Sequence, residues 1–428
     1  MPRSAILAAE RGTIESAAGR MHVAYIHQHF STTSGATGTR SYEMSRRLLA
    51  AGHRVTMICG VNPVTAGSFQ ALSGRVTETE IDGIRVLCVA EPYANKMGFY
   101  RRLVSFGRFA RQAGKLVAGL DADLVFATST PLTVGIPGKK GARRLGVPFV
   151  FEVRDLWPEL PIAMGIIKNP LLKWYTRRME RGIYHAARRI IALAPGIRDG
   201  ICRTGYPADR VDLVPNGCDE ELFKPAGGER IDDPRFGPLS DLRLVFTGAH
   251  GLANGLDAVL DAAAELKRRG EGGVRFIFIG EGGQKARLAA RSRAEGLDSL
   301  VSWLPSVPKK ELARVLPRLD VGMMILRNIP SFYYGTSPNK FFDYIACGMP
   351  VLNNYPGWLA EMIQEHQLGK VVPPDDPRAF ADAVLWFRDH RDALPAMGQR
   401  ARALAQSQFS RDRLGGLFVS ALERAAQG

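Results

Sequence analysis

The chain is poor in features that mark several functional classes. Cysteine is scarce: Cys59, Cys88, Cys202, Cys218 and Cys347 are odd in number, scattered and without a C-x-x-C pair. This excludes a disulfide framework and a cysteine-built zinc site, and points to a reducing cytosol. No run of about 18 apolar residues occurs, so no segment qualifies as a bilayer-spanning helix. A signal peptide is also missing. Residues 1–20 set Arg3, Glu10, Arg11 and Glu15 among small residues and read as a flexible leader, with Met21 a candidate start. No short-period repeat is visible. Acid is scarce in one half only. The whole chain carries 57 Lys+Arg against 42 Asp+Glu, a formal +15. Residues 1–218 hold 30 basic and 16 acidic residues, the remainder 27 and 26. So lopsided an excess rules out a uniformly basic coat of the ribosomal or histone kind and asks for a local reason.

What is present is globular. Apolar content of 46% and charged content of 23% exclude wholesale disorder. At roughly 150 residues per domain, 428 residues make two or three domains. Val23–Ile26, a small-residue loop, a helical stretch from Arg40 to Ala51 and Arg54–Cys59 form a βαβ unit. Strand-length apolar runs recur at Ile84–Val89, Leu124–Ala127, Phe149–Glu152, Ile190–Leu193 and Val211–Val214, most of them separated by helical stretches. A Pro- and Gly-rich segment at 224–241 reads as a linker. A second alternation follows: strands at Leu242–Thr247, Arg275–Ile279, Val301–Leu304, Val321–Ile325 and Val351–Asn353, with helices at 256–268, 284–294, 309–316 and 339–346 and a helical tail. The expected fold class is α/β, with two doubly wound, mostly parallel sheets. The expected domains are 21–223 and 242–405, with a C-terminal helix at 406–428 that could return to the N-terminal domain.

Chemistry-bearing stretches lie at strand ends. Gly248, Gly251 and Gly255 follow Leu242–Thr247 and open a helix, either as a backbone cradle for a diphosphate or as a tight βα turn. Ile277–Gly283 ends a second strand with Gly280 and Glu281, the latter a hydrogen-bond acceptor for a ribose or base or a solvated carboxylate. In Ser337–Pro350, Ser337 is a candidate N-cap and Pro338 suits a first helical turn. Asn339, Lys340 and Asp343 then share one side of a helix whose N-terminus favours phosphate. In the first half, Glu152, Arg154, Asp155 and Glu159 crowd a strand end beside Trp157, and Asn216-Gly217 is a turn where a hinge would sit. Asp121-x-Asp123 reads better as the solvated start of a strand than as a metal site, and His27 and His29 share one strand face.

Taken together, the glycine loop after the first strand, "VRDLWPE", "APGIRDGI", "VPNGCDEELF", the "FTG" loop, "FIGEGG" and "SPNKFFDYIACGMPVL" occur in an order and spacing that resemble family 4 of the retaining, nucleotide-sugar-dependent glycosyltransferases. The branch most resembled builds bacterial O-antigen, capsule and exopolysaccharide, and the likeness spans about residues 21–410. It implies a GT-B fold, two Rossmann-like domains facing a central cleft. The donor nucleotide sugar, on this resemblance a UDP-sugar, belongs to the C-terminal domain and the acceptor to the N-terminal one.

By motif, Gly35 and Gly38 fall where the family's glycine loop approaches the donor, and Arg154 and Asp155 where a charged pair lines the sugar and acceptor region. Asp155 or Glu159 would orient the acceptor hydroxyl. Glu281 falls in the donor loop, and Asp343 at the second of two glutamates, eight apart, that contact the donor. The first of those glutamates is replaced by Gly335, and the family's basic pair lands near His250 and Asn254, neither reliably cationic. Lys340 and the helix start near Pro338 are therefore expected to stabilise the leaving group, with Asn216, Gly248, Gly251, Gly280 and Asn339 completing the donor set. No metal or other cofactor is expected.

The resemblance also gives the basic half a purpose. Residues 96–117 carry six cations and no acid. Phe99, Leu103, Phe106, Ala110, Ala113 and Val117 line one stripe, with Arg101, Arg102, Arg108, Arg111 and Lys115 around it. This is either a surface helix burying its stripe or an amphipathic element lying on an anionic membrane. A second block, Lys168–Arg189, has seven cations and one acid and includes Trp174 and Tyr175. The expected acceptor is a polyprenyl-diphosphate-linked saccharide, met by a cytoplasmic protein peripheral to the inner face of the membrane. Two other readings stay open, a GT-B sugar-nucleotide epimerase and a non-catalytic polyanion-binding protein, although no recognised nucleic-acid motif is present and no nucleic-acid partner is expected.

Overall fold

The computed structural model describes residues 19–32, 38–61, 75–91, 98–225 and 230–428. They divide into two compact units. The first runs to Pro215 and takes in 335–337 and Asp412–Gly428; the second comprises Asn216–Tyr334 and Pro338–Arg411.

The first unit is built on strands β1 (His22–Ile26), β2 (Arg54–Gly60), β3 (Val76–Ile81), β4 (Ile84–Val89), β5 (Leu124–Thr128), β6 (Phe149–Val153), β7 (Arg189–Ala192) and β8 (Val211–Leu213). Among the described residues they form one sheet in the order β3-β4-β2-β1-β5-β6-β7-β8. The inner strands β1, β5 and β6 are buried along their whole length, which is why they read as unbroken apolar runs. β3, which the apolar runs do not announce, pairs antiparallel with β4 and alternates between exposed and half-buried positions. Its signal was the Asp82-Gly83 turn, both residues at positive φ (48° and 81°), as a tight hairpin requires.

A buried ion pair ties the unit together. Arg40, the first residue of helix Arg40–Ala50, donates from Nε and Nη2 to Glu152 Oε1 (3.0 and 2.8 Å) and from Nη1 to Pro215 O (2.7 Å). The Thr128 hydroxyl donates to the other Glu152 oxygen at 2.6 Å. The last helix, Arg411–Gln427, belongs to this unit. Its Phe418 meets Phe126 edge-on at 5.1 Å, and Glu423 pairs with His53 at 3.2 Å.

The second unit has β9 (Leu242–Thr247), β10 (Val274–Ile279), β11 (Val301–Leu304), β12 (Val321–Met324), β13 (Val351–Asn353) and β14 (Gly369–Val371), all parallel, in the order β11-β10-β9-β12-β13-β14. Phe246, Phe276 and Phe278 pack against Leu260 and Leu266 of helix Asp257–Arg268 and Phe380 and Phe387 of helix Pro377–Asp389. Short β14 and helix Trp358–Glu365 went unannounced in the sequence.

The boundary between the units falls at Pro215/Asn216, not within 224–241. The described part of that segment is tied to the second unit by arginines. Arg230 donates to Asp320 (2.7 Å) and Asp241 O (2.9 Å), and the buried Arg243 to Ile231 O and Gly237 O (both 2.7 Å). A Pro- and Gly-rich composition described a strapped loop here rather than a free linker.

Strand order fixes where each unit can bind. Chain direction across the sheet reverses between β1 and β5 in the first unit and between β9 and β12 in the second. The carboxyl ends beside such reversals open a crevice.

Candidate functional site

In the second unit, the loops after β9 and β10 interlock. His250 N–H donates to Glu281 O (2.9 Å) and Gln284 N–H to His250 O (2.9 Å). The approach is too close for side chains: a Cβ on Gly280 would lie 1.9 Å from Gly248 O, and one on Gly282 2.4 Å from His250 O. Glycine here serves loop packing.

Helix Asn339–Ala346 is pinned over this pair of loops. The buried Tyr344 hydroxyl accepts from Thr247 N–H (3.0 Å) and donates to Val245 O (3.2 Å) at the end of β9. One turn earlier, Lys340 lies over the same strand end. Its Nζ is 3.7 Å from the Phe246 ring centroid, and a Cβ on Gly248 would come within 3.5 Å of its Cε. Among the described residues Lys340 has no ion pair and no hydrogen bond. Desolvation alone lowers its pKa to about 7. The cap of the helix is Pro338 rather than Ser337: Pro338 is extended (φ −76°, ψ 126°) and offers no side-chain acceptor to the first amides. Asn339 is exposed at the first helical position.

The other expected donor residues are placed differently from one another. His250 is fully buried, its ring against Phe246, Phe278 and Trp303, and burial lowers its pKa to about 4. Its side chain is thus a neutral core group, a correction to its place in the donor set. Its backbone lies in the loop, and its Nε2 would be 3.3 Å from a Cβ on Gly280. Asn254 closes its own turn, its amide donating to Ala249 O at 2.6 Å, and Gly251 begins that turn. Glu281 is exposed and paired with Lys285 at 2.7 Å, which holds its carboxyl below the usual range. Lys285 also donates to Gly280 O and Leu304 O (both 2.9 Å). Lys285, four residues after Glu281 at the start of the helix that follows, is a cation the motifs did not mark. Asp343 is buried with Lys309 Nζ 3.7 Å away, and Arg411 and Asp219 nearby; burial raises its pKa against the pull of those cations. Asn216, the first residue of the unit, is buried. Arg327, exposed just beyond β12, is a further cation at the sheet reversal that the motifs did not mark.

In the first unit, the ends of β1, β5 and β6 gather a second group. Arg154 Nη1 is 3.4 Å from His27 Nε2, and Arg154 N–H donates to Ser129 Oγ (2.9 Å). The Thr130 hydroxyl donates to Asp155 Oδ2 at 3.3 Å. Burial first, and Arg154 second, hold His27 well below the usual histidine range and lower His29 to about 4. Asp155 is shifted up by burial, opposed by Arg154 and Thr130. At neutral pH the two imidazoles are therefore uncharged, beside the Arg154 guanidinium and the Asp155 carboxyl.

Two expected members have other partners. Glu152 is consumed by Arg40. Glu159 begins the short helix Glu159–Ala163 after the Trp157-Pro158 turn and pairs with Arg203 (3.3 Å). Gly35 lies outside the described residues, as does the side chain of Phe99; Gly38 is half-buried just before helix Arg40–Ala50. Asp123 accepts from His22 N–H at 2.7 Å, fixing the start of β5. Among the described residues no group of three or more His, Cys, Asp or Glu could hold a metal ion.

Helix Phe99–Val117 buries Phe106, Phe109, Ala110, Ala113 and Val117 in its own unit. Leu103 leaves the stripe and is exposed beside Val104, because the buried face begins only at Ser105. Arg101, Arg108, Arg111 and Lys115 are exposed, Arg102 is half-buried, and Arg108 lies 3.7 Å from Glu91. No helix of the described residues is long and apolar enough to cross a membrane.

Comparison with known proteins accounts for both units. Residues 35–217 match the model of the glycosyl transferase 4-like domain, and residues 241–390 that of glycosyl transferases group 1. D-inositol 3-phosphate glycosyltransferase of Paenarthrobacter aurescens is 26% identical over 69% of this chain and 71% of its own. The amylovoran biosynthesis glycosyltransferase AmsK of Erwinia amylovora is 23% identical over 52% and 53%. The chain matches from about half to about seven-tenths of the length of such curated relatives. Among solved structures, sucrose-phosphate synthase of Thermosynechococcus elongatus superposes with a TM-score of 0.71 at 17% identity, covering 92% of this chain and 96% of that one. Anabaena HepE in complex with UDP-glucose gives 0.66 at 15%, covering 95% and 100%.

Proposed function

The chain belongs to the family 4 glycosyltransferases with the GT-B fold, and from that premise we propose that it moves a sugar from a nucleotide sugar to a polyprenyl-diphosphate-linked saccharide in bacterial surface polysaccharide synthesis. The observation that carries the reading is Lys340. A half-buried ammonium with no ion pair among the described residues, at a helix start and above a glycine-rich strand end, is suited to an anion. A nucleoside diphosphate supplies that charge, and HepE, of the same fold, was crystallised with UDP-glucose. A UDP-sugar is the donor we favour. AmsK, a relative, is named for amylovoran biosynthesis.

In this scheme the bond between the anomeric carbon and the diphosphate oxygen breaks, and its electron pair stays on that oxygen. Lys340 and the free amides at the start of Asn339–Ala346 face the growing charge and stabilise it more in the transition state than in the ground state. The acceptor hydroxyl bonds to the anomeric carbon from the same face, which retains configuration, and its proton passes to the departing diphosphate. Arg154, Asp155 and the neutral His27 and His29 orient the acceptor. The scheme draws its positive charge from the chain and assigns no step to a metal. A peripheral place at the inner membrane face follows from the acceptor's lipid.

The test is release of free nucleoside diphosphate from UDP-, GDP- and dTDP-sugars with a polyprenyl-diphosphate-linked acceptor, followed by product NMR. Acceptor-dependent release with a retained anomer supports the reading. Release independent of acceptor, or near-normal turnover and donor affinity in Lys340→Ala, sinks it.

A further inference from the structure

In helix Pro170–Tyr184, Leu171, Trp174, Tyr175 and Arg178 stand at i, i+3, i+4 and i+7 and share one face. A helix serving only its own domain turns such an apolar face inward. This one turns it out: Leu171 is 76% exposed, Trp174 62% and Tyr175 57%. The inward contacts are made from the opposite side, by Thr176, Ile183 and Tyr184. Ile166, four residues ahead of the helix, adds another exposed apolar side chain.

Cations flank these groups. Arg177, Arg178 and Arg181 are exposed, and the Arg178 guanidinium lies 5.9 Å from the Trp174 ring centroid. The helix forms one wall of a groove of about 1340 Å³ within the first unit, and the same groove is lined by Lys139, Lys140 and Arg203. The acids beside it offset one of these cations. Glu159 is paired with Arg203, and burial pushes Glu180 up to about 7.

Three kinds of occupant make different demands. A small soluble polyanion would use the cations and leave Leu171, Trp174 and Tyr175 facing water. An apolar protein surface would cover the aromatics and strand the arginines in an uncompensated interface. A bilayer with anionic head groups satisfies both sets at once, aromatics at the interfacial layer and arginines at the phosphates. We propose that helix Pro170–Tyr184 docks the protein on an anionic bilayer, seating Leu171, Trp174 and Tyr175 in the interface with Arg177, Arg178 and Arg181 on lipid phosphates. This rests on the lipid-linked acceptor proposed above and gives its membrane a different address from helix Phe99–Val117, whose apolar stripe is spent on packing from Phe106 onward.

Flotation of the full chain with vesicles tests it, using phosphatidylcholine alone and phosphatidylcholine with about one-third phosphatidylglycerol. The wild type should float with the anionic vesicles only. Arg177→Ala/Arg178→Ala should weaken binding by about thirtyfold, at the usual contribution of a surface cation near such a membrane. Leu171→Ser/Trp174→Ser/Tyr175→Ser should abolish it while the far-UV spectrum stays unchanged. Brominated lipid should quench wild-type tryptophan fluorescence, and Trp174→Phe should remove that quenching without releasing the protein. The proposal is overturned if the wild type ignores anionic vesicles, if the triple variant binds normally, or if charge reversal at Arg101, Arg108 and Arg111 abolishes binding while the triple variant keeps it. UDP-sugar binding in solution, measured in parallel, is independent of docking. Its absence from the wild type would count against the transferase reading and leave the docking result standing.

Discussion

Lys340 Nζ sits 3.7 Å above the ring centroid of Phe246, on a helix that Tyr344 bolts to the same strand end. Burial lowers the pKa of the ammonium to about 7, and the ring's π face is a poor substitute for a carboxylate. A diphosphate placed beside it restores the charged form. Binding therefore takes up a proton whenever the pH lies above the free value and below the bound one. Nucleotide-sugar affinity is expected to be highest below pH 7 and to decline as pH rises through and above 7. Calorimetric titration between pH 6 and 9 checks the slope, and buffers of different ionisation enthalpy count the proton. Lys340→Arg, cationic throughout, should flatten the profile.

The same residue should cost the apo protein stability. Its folded pKa lies below the ordinary lysine value, so the unfolded chain binds the proton more readily, and stability rises with pH between the two. Lys340→Met keeps the packing on Phe246 and drops the charge. It is expected to stabilise the fold at pH 7 by roughly 1–2 kcal/mol while removing donor turnover. A melting curve at or below the wild-type temperature would contradict this.

Tyr344 acts through position. Tyr344→Phe leaves the buried ring but takes away the acceptor for Thr247 N–H and the donor to Val245 O. A loss of about 1–2 kcal/mol is expected. Since the helix start moves with it, donor affinity should fall as well, by less than in Lys340→Ala. Denaturant midpoints and donor titrations read the two effects separately.

In the sequence, Glu152 looked like one of four cleft ionisables. The structure makes it the buried partner of Arg40, with Thr128 on its second oxygen. Glu152→Ala strands a desolvated guanidinium and should destabilise the fold by about 3–5 kcal/mol. Its donor affinity, measured where the variant remains folded, should stay near that of the wild type. A stable, inactive Glu152→Ala would return the residue to the site.

These cases show what pattern could and could not reveal. Strands buried on both faces, such as β1 and β9, announce themselves as apolar runs, and glycine-bearing strand ends mark the sheet reversals, so the two Rossmann-like units were readable. Which charge is consumed by packing was not. Glu152 and Glu159 stand near Arg154 in the chain, yet one turns in to Arg40 and the other pairs with Arg203. His250 carries a site-like position and a core side chain, because glycines on either side let its backbone close the loop while Phe278 and Trp303 enclose its ring. Partners distant in sequence, Lys309 for Asp343 and Phe418 for Phe126, had no local signal at all.

Arg154 separates the electrostatics of the first unit from its packing. His29 is lowered to about 4 by burial first and by Arg154 second. Arg154→Ala removes only the smaller cause, so His29 should titrate above 4 yet below an exposed histidine, and His27, more deeply buried, should move less. Histidine ring NMR in the full chain gives both midpoints. If acceptor orientation depends on a fixed cation beside uncharged imidazoles, the variant should lose turnover at saturating donor while its donor affinity, set in the other unit, is unchanged. Arg154→Lys keeps the charge but not the fork that reaches His27, and should recover the histidine midpoints better than the turnover. Unchanged turnover in Arg154→Ala, with the midpoints shifted as expected, would make the cluster a buried electrostatic feature and remove it from the acceptor site.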